Sequence, residues 1–205
     1  MYTSLPSFVL GFHGCDQSVV DAIVCGIDTL RPSENDYDWL GHGIYFWEND
    51  PARALEYAEL LKKHPLRGRG QVKTPAVLGA VIDLGHCLNL MEADALRLIS
   101  SGYKLLCDLV NVSGDPMPEN TVPGPGGGLL VRHLDCAVIQ LLQKAMADKG
   151  EQPFHSVRGL FLEGEDLYPN AGFREKNHIQ ICVRNPNCIK GFFLPRLSDS
   201  NYPVP

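Results

Sequence analysis

Three short segments of this sequence set a polar ring or amide among apolar residues that would hold it in place. The first is His13-Gly14, which ends the apolar run Phe8-Val9-Leu10-Gly11-Phe12. An imidazole both donates and accepts hydrogen bonds, and a glycine beside it lets main-chain amide and carbonyl approach a flat ligand closely. A planar carboxamide needs such a donor and acceptor side by side. The second is Gly41-His42-Gly43-Ile44-Tyr45-Phe46, where two glycines lead into a tyrosine between apolar neighbours. The third is His178-Ile179-Gln180-Ile181-Cys182-Val183. Strand alternation puts Ile179, Ile181 and Val183 on one face, and His178 with Gln180 on the other. Each segment also has a plain structural reading: a hydrogen-bonded histidine, a core tyrosine and a polar pair facing water.

The elements that would position these residues follow from spacing. Phe8–Phe12 reads as a buried strand, and Ser18-Val19-Val20-Asp21 as a capping box that opens a helix. Gly43–Phe46 reads as a second strand. Asp50-Pro51 starts a helix that runs through Lys63, because proline at the first helical position loses no needed hydrogen bond. Residues 65–75 read as a loop, Ala76–Leu84 as a strand and Glu92–Ser101 as a short helix. Residues 113–128 hold four prolines and Gly126-Gly127-Gly128, the composition of a mobile surface loop. No Lys-Ser/Thr follows that glycine run, which excludes a P-loop. Leu134, Val138, Leu141, Leu142 and Ala145 mark an amphipathic helix closed by Gly150. Val157–Leu162, Ile179–Val183 and Ile189–Leu194 read as late strands. Strands at both ends with helices between predict one α+β domain over 1–205, with a helical insertion at about 85–150.

Composition narrows the function classes. With 44% hydrophobic and 20% charged residues the chain is an ordinary globular protein with a core. A formal charge of −6 argues against bulk electrostatic binding to nucleic acid, although Lys62, Lys63, His64, Arg67 and Arg69 form one basic stretch. Seven cysteines without a CxxC pair point to free thiols rather than disulfides or zinc. No apolar run reaches the length of a membrane span and no leader pattern opens the chain, so the expected location is cytoplasmic.

Taken together, Phe12-His13-Gly14, Gly41-His42-Gly43-Ile44-Tyr45-Phe46 with a helix behind it, and the late strand with a polar residue resemble the ADP-ribosyltransferases of the poly-ADP-ribose polymerase and diphtheria-toxin type. The resemblance is dense over residues 8–58 and 157–194 and absent between about 85 and 150. It implies a domain of split antiparallel β-sheets with flanking helices, NAD as co-substrate and no metal. It further implies that His13 bonds a ribose hydroxyl, that Gly14 holds the nicotinamide carboxamide, that Gly43 admits close approach, and that Tyr45 and Tyr57 stack on the ring. Arg31 resembles the arginine that approaches the adenosine half of NAD. A small hydroxyl residue usual in the family would fall at Arg53 or Ala54. The family's glutamate falls on His178, or with a two-residue shift on Gln180. Gln180 is taken as the third catalytic residue beside His13 and Tyr45, with His178 its neighbour and Glu175 an alternative just before the strand.

These residues fit cleavage of the bond between nicotinamide and ribose, whose transition state spreads positive charge over the sugar. A carboxylate stabilises that charge best; a glutamine offers only a dipole. The expectation is therefore mono-ADP-ribosyl transfer to an unassigned acceptor, protein favoured and nucleic acid open. The alternatives are an NAD glycohydrolase, a module that holds NAD or ADP-ribose without chemistry, and a scaffold built around the 113–128 loop.

Overall fold

The computed structural model describes residues 8–65, 71–121, 131–196 and 200–202. Arg67, Arg69 and the triple glycine at 126–128 lie outside them. In chain order the elements are β1 (Phe8–Asp16), α1 (Gln17–Val24), β2 (Ile44–Glu48), α2 (Pro51–Lys63), β3 (Pro75–Asp83), β4 (Cys87–Asn89), α3 (Ala93–Ser113), β5 (Asn120–Thr121), β6 (Val131–Arg132), α4 (His133–Asp148), β7 (Ser156–Phe161), β8 (His178–Val183) and β9 (Ile189–Phe193). This is an α+β chain.

Local chemistry explains the helix boundaries. Asp50 caps α2 through the Arg53 amide, with Pro51 at the first turn, as its sequence predicts. The cap of α1 is Asp16 and not Ser18: the Asp16 carboxylate accepts from the main-chain amides of Ser18, Lys73 and Thr74. It thus ties the start of α1 to the start of β3. Helix α3 runs twelve residues beyond the expected Ser101 and stops at Gly114, whose φ of 76° ends it in the left-handed region. Leu105, Leu106, Leu109 and Val110 continue its helical spacing. The expected loop at 113–128 therefore begins only where α3 ends, and its residues 122–128 lie outside the described residues.

The main sheet has seven strands in the order β4-β7-β8-β2-β1-β3-β9. All neighbours are antiparallel except β4 and β7, and β5–β6 form a separate ribbon. The expected split into separate antiparallel sheets is corrected to one mixed sheet with a seam. β1 pairs β3 along its whole length, but it pairs β2 only at Gly11↔Glu48 and Phe12↔Trp47. The parallel β4–β7 pair requires a crossover, and α3 and α4 provide it. The expected insertion is thus part of the sheet's wiring.

One face of the sheet buries Ile44, Phe46, Ile82, Ile181 and Val183. The other packs Val157, Phe161 and Cys182 under α3 and α4 with Leu40, Ile139 and Leu142. Gly102 lets the two helices approach: a Cβ there would lie 3.3 Å from the Val138 Cγ1. All seven cysteines are free, and no helix among the described residues is long and apolar enough to cross a membrane.

Candidate functional site

The seam leaves a main-chain donor and acceptor open at Gly14. In an antiparallel strand, successive residues turn their N–H and C=O alternately to one neighbour and the other. The Gln17 N–H bonds the Thr74 carbonyl at 2.8 Å, toward β3, and the Asn49 N–H bonds the Leu10 carbonyl at 2.9 Å, toward β2. Leu10, Phe12 and Gly14 therefore present their polar groups to β2. Pairing with β2 ends at Phe12, however, so Gly14 has no strand partner there.

His13 holds the seam open. Its Nδ1–H donates to the Tyr45 carbonyl at 2.8 Å, the acceptor that a continued ladder would give to the Gly14 amide. Its ring lies edge-on to Phe46, 5.9 Å between centroids. Burial pushes the His13 pKa below its usual value, which keeps the ring neutral with Nε2 as an acceptor.

The two glycines expected to admit a ligand also admit the chain itself. A Cβ on Gly14 would overlap the Ala54 carbonyl oxygen of α2 and lie 2.9 Å from its carbon. A Cβ on Gly43 would lie 2.5 Å from the Cys182 Sγ and 2.7 Å from the Val183 carbonyl. Their small size is therefore demanded first by helix and strand packing.

Tyr45 is firmly positioned. Its hydroxyl donates to the Gly41 carbonyl at 2.7 Å and accepts from the Leu40 amide at 2.8 Å, and burial pushes its pKa well up. Tyr45 and Phe46 point to opposite faces of β2. His13, against Phe46, and Tyr45 are thus joined through the Tyr45 carbonyl and do not face each other ring to ring.

The face that carries Tyr45 gathers the other candidates. Trp47 is opposite Gln180, and His178 is opposite Phe161. Tyr57 on α2 lies 4.9 Å from Trp47, Trp47 6.4 Å from His178, His178 5.7 Å from Phe161, and Phe161 4.7 Å from Trp39, all between ring centroids. The Arg132 guanidinium covers Trp39 at 4.4 Å and Phe161 at 4.8 Å. Gln180 is half-buried. Along this row Trp47 Nε1, Arg53 Nε, Arg132 Nε and His178 Nε2 are buried without hydrogen-bond partners. Unsatisfied buried polar atoms are rare, and these four lie along one face. Trp47 was within reach of sequence reasoning, two residues after Tyr45 on the same face. Trp39, Arg132 and Phe161 arrive from separate stretches and carried no local signal.

The remaining candidates stand apart. Arg31 is exposed. Glu175 is exposed on the β7–β8 loop. Neither Arg53 nor Ala54 has a hydroxyl; Ala54 is fully buried against the sheet, and Arg53 pairs with Glu56 and Glu163. An open hollow of about 520 Å³, lined by residues 164–169 and Arg174, lies on the β7–β8 loop. It lies outside the aromatic row. Among the described residues no group of three or more His, Cys, Asp or Glu is placed to hold a metal ion.

The half-buried His13 and the buried His178 give the protein a pH dependence. Burial lowers the pKa of both His13 and His178 from the ordinary 6.5. Below that value the unfolded chain takes up protons that the folded one resists. Their contribution is therefore full above pH 6.5 and declines as the pH falls through the lowered values. Urea midpoints between pH 8 and 5 should fall on the acid side, and His13→Gln should reduce that fall; an unchanged profile would contradict the neutral state of the ring.

A protein of Methanocaldococcus jannaschii described as uncharacterised is 25% identical over 197 aligned residues, covering 87% of this chain and 83% of the relative. No protein-family model and no solved structure matches the chain.

Proposed function

We propose that the chain binds NAD along the seam and cleaves its bond to nicotinamide, transferring ADP-ribose to an acceptor, with protein favoured. The observation that carries this reading is that β1–β2 pairing stops at Phe12 while His13 takes the Tyr45 carbonyl, which leaves Gly14 without a strand partner on that side. A primary carboxamide has the complementary acceptor and donor in one plane. Tyr57, half-buried and packed on the buried Trp47, carries a ring on the same side of the sheet, and aromatic faces bind flat heterocycles by offset stacking. The resemblance in the sequence points the same way.

In this reading Gly14 fixes the ring, and Tyr45 orients the ribose side from a hydroxyl held by two main-chain groups. Gln180 turns its carbonyl dipole toward the developing cation. Nicotinamide leaves as a neutral molecule, so no strong acid is needed. Positioning together with electrostatics supplies the rate.

A second reading, a module that holds NAD without breaking it, is favoured by the absence of any carboxylate on β8, where His178 and Gln180 stand. Titration calorimetry with NAD, run alongside an assay of released nicotinamide, separates the two. We expect binding with release, and release reduced at least a hundred-fold in Tyr45→Ala. Binding without release would favour the module, and no binding would exclude both.

A further inference from the structure

Although β8 carries no carboxylate, one reaches its face from the end of β7. Phe161, the last residue of β7, sets its ring 5.7 Å from His178. Two residues later the Glu163 Oε2 lies 3.2 Å from Arg53 Nη2 and 3.9 Å from His178 Nδ1. Its side chain is 25% exposed, open enough for a ligand to meet it. Arg53 sits one turn before Tyr57 on α2, and Tyr57 packs on Trp47. The carboxylate is therefore held at the edge of the aromatic row.

Its neighbours cannot take its place. Burial lowers the His178 pKa and so favours the neutral ring; its Nδ1–H donates to the Lys176 carbonyl at 2.6 Å, which leaves the buried Nε2 an acceptor. Gln180 is uncharged. A purely structural ion pair between Glu163 and Arg53 would tie the β7–β8 loop to α2, but Arg53 already has Glu56 as a partner.

We propose that Glu163 is the catalytic carboxylate of this site, acting on the nicotinamide ribose; the proposal rests on the NAD reading above. In the step it serves, the bond from ribose C1′ to the pyridinium nitrogen breaks, and its electron pair leaves with neutral nicotinamide. The Glu163 charge stabilises the cation that forms. The oxygen of an acceptor hydroxyl or of water bonds C1′, and its proton passes to Glu163 and then to solvent. No oxidant or reductant takes part.

The test measures NAD affinity by calorimetry, nicotinamide release and thermal melting on Glu163→Gln, Glu163→Asp and Glu163→Ala. Release should fall by about a hundred-fold or more in Glu163→Gln, with the NAD Kd within about threefold of the parent. Glu163→Asp, which keeps the charge on a shorter arm, should lose less. Sodium formate should restore part of the release to Glu163→Ala, since a small carboxylate can enter the vacated space. Glu165→Gln, on the same loop and exposed, should behave as the parent. Unchanged release in Glu163→Gln with NAD still bound would overturn the role of Glu163 and leave the NAD reading standing. A parent protein that binds no NAD would overturn both. Loss of release in Glu163→Ala without formate rescue, accompanied by a lower melting temperature, would reduce Glu163 to a structural anchor.

Discussion

Replacing Gly14 with alanine should lower the stability of the fold by about 3 kcal/mol, the upper part of the range for overpacking a tight core. The added methyl would meet backbone and not a movable side chain: the Ala54 carbonyl group and, at 3.3 Å, the Ala58 nitrogen. Helix α2 would have to lift from the sheet. That would expose Ala54 and Ala58, both fully buried, and disturb Phe12 and Trp47 beneath. Urea unfolding of the two proteins would measure the loss from the shift in midpoint. Gly172→Ala is the control, since nothing lies within 4 Å of the added atom and the change should stay within about 0.5 kcal/mol. A loss below about 1 kcal/mol at Gly14 would mean that α2 does not press on β1 as described.

On the NAD reading proposed above, replacing His13 with alanine should weaken NAD binding by about a hundred-fold, the equivalent of two hydrogen bonds at the upper end of their usual net contribution. Without the imidazole the Tyr45 carbonyl is free to accept from the Gly14 amide. The ladder can then continue past Phe12 and use up both groups meant for the carboxamide. Stability should fall by about 1–3 kcal/mol, since a main-chain hydrogen bond replaces the one from the side chain but nothing fills the space of the ring packed on Phe46. Amide exchange separates this account from simple loss of a ligand contact: the Gly14 amide should exchange more slowly in His13→Ala than in the parent. Faster exchange, or an unchanged NAD affinity, would show that His13 does not hold the strands apart.

How much of this could be read along the chain depends on the range of the interaction. Asp50-Pro51 announced α2 because capping and proline chemistry are local. The glycine-flanked His13 and Tyr45 stood out for the same reason. The seam was not legible, because it depends on where β1 stops pairing with β2, a register matter between residues more than thirty apart. The length of α3 was missed because Gly102 interrupts its apolar pattern, and only the closeness of Val138 explains that glycine. β4 is three residues long and has no period to detect. Glu163 sits in a polar turn and gains significance only from Arg53, 110 residues away. Arg31, selected by likeness to a loop in other proteins, ended exposed.

The strand order also bears on how the molecule is made. β1 and β3, joined along their full length, come from the first 83 residues and can pair while the rest of the chain is still being synthesised. β2 finds its other neighbour only in β8, and β4 waits for β7. Such distant pairings form slowly. Until Gln180 has emerged, Trp47 has no partner opposite it on β8 and the aromatic row is incomplete, so a nascent chain that stops before it would be half built.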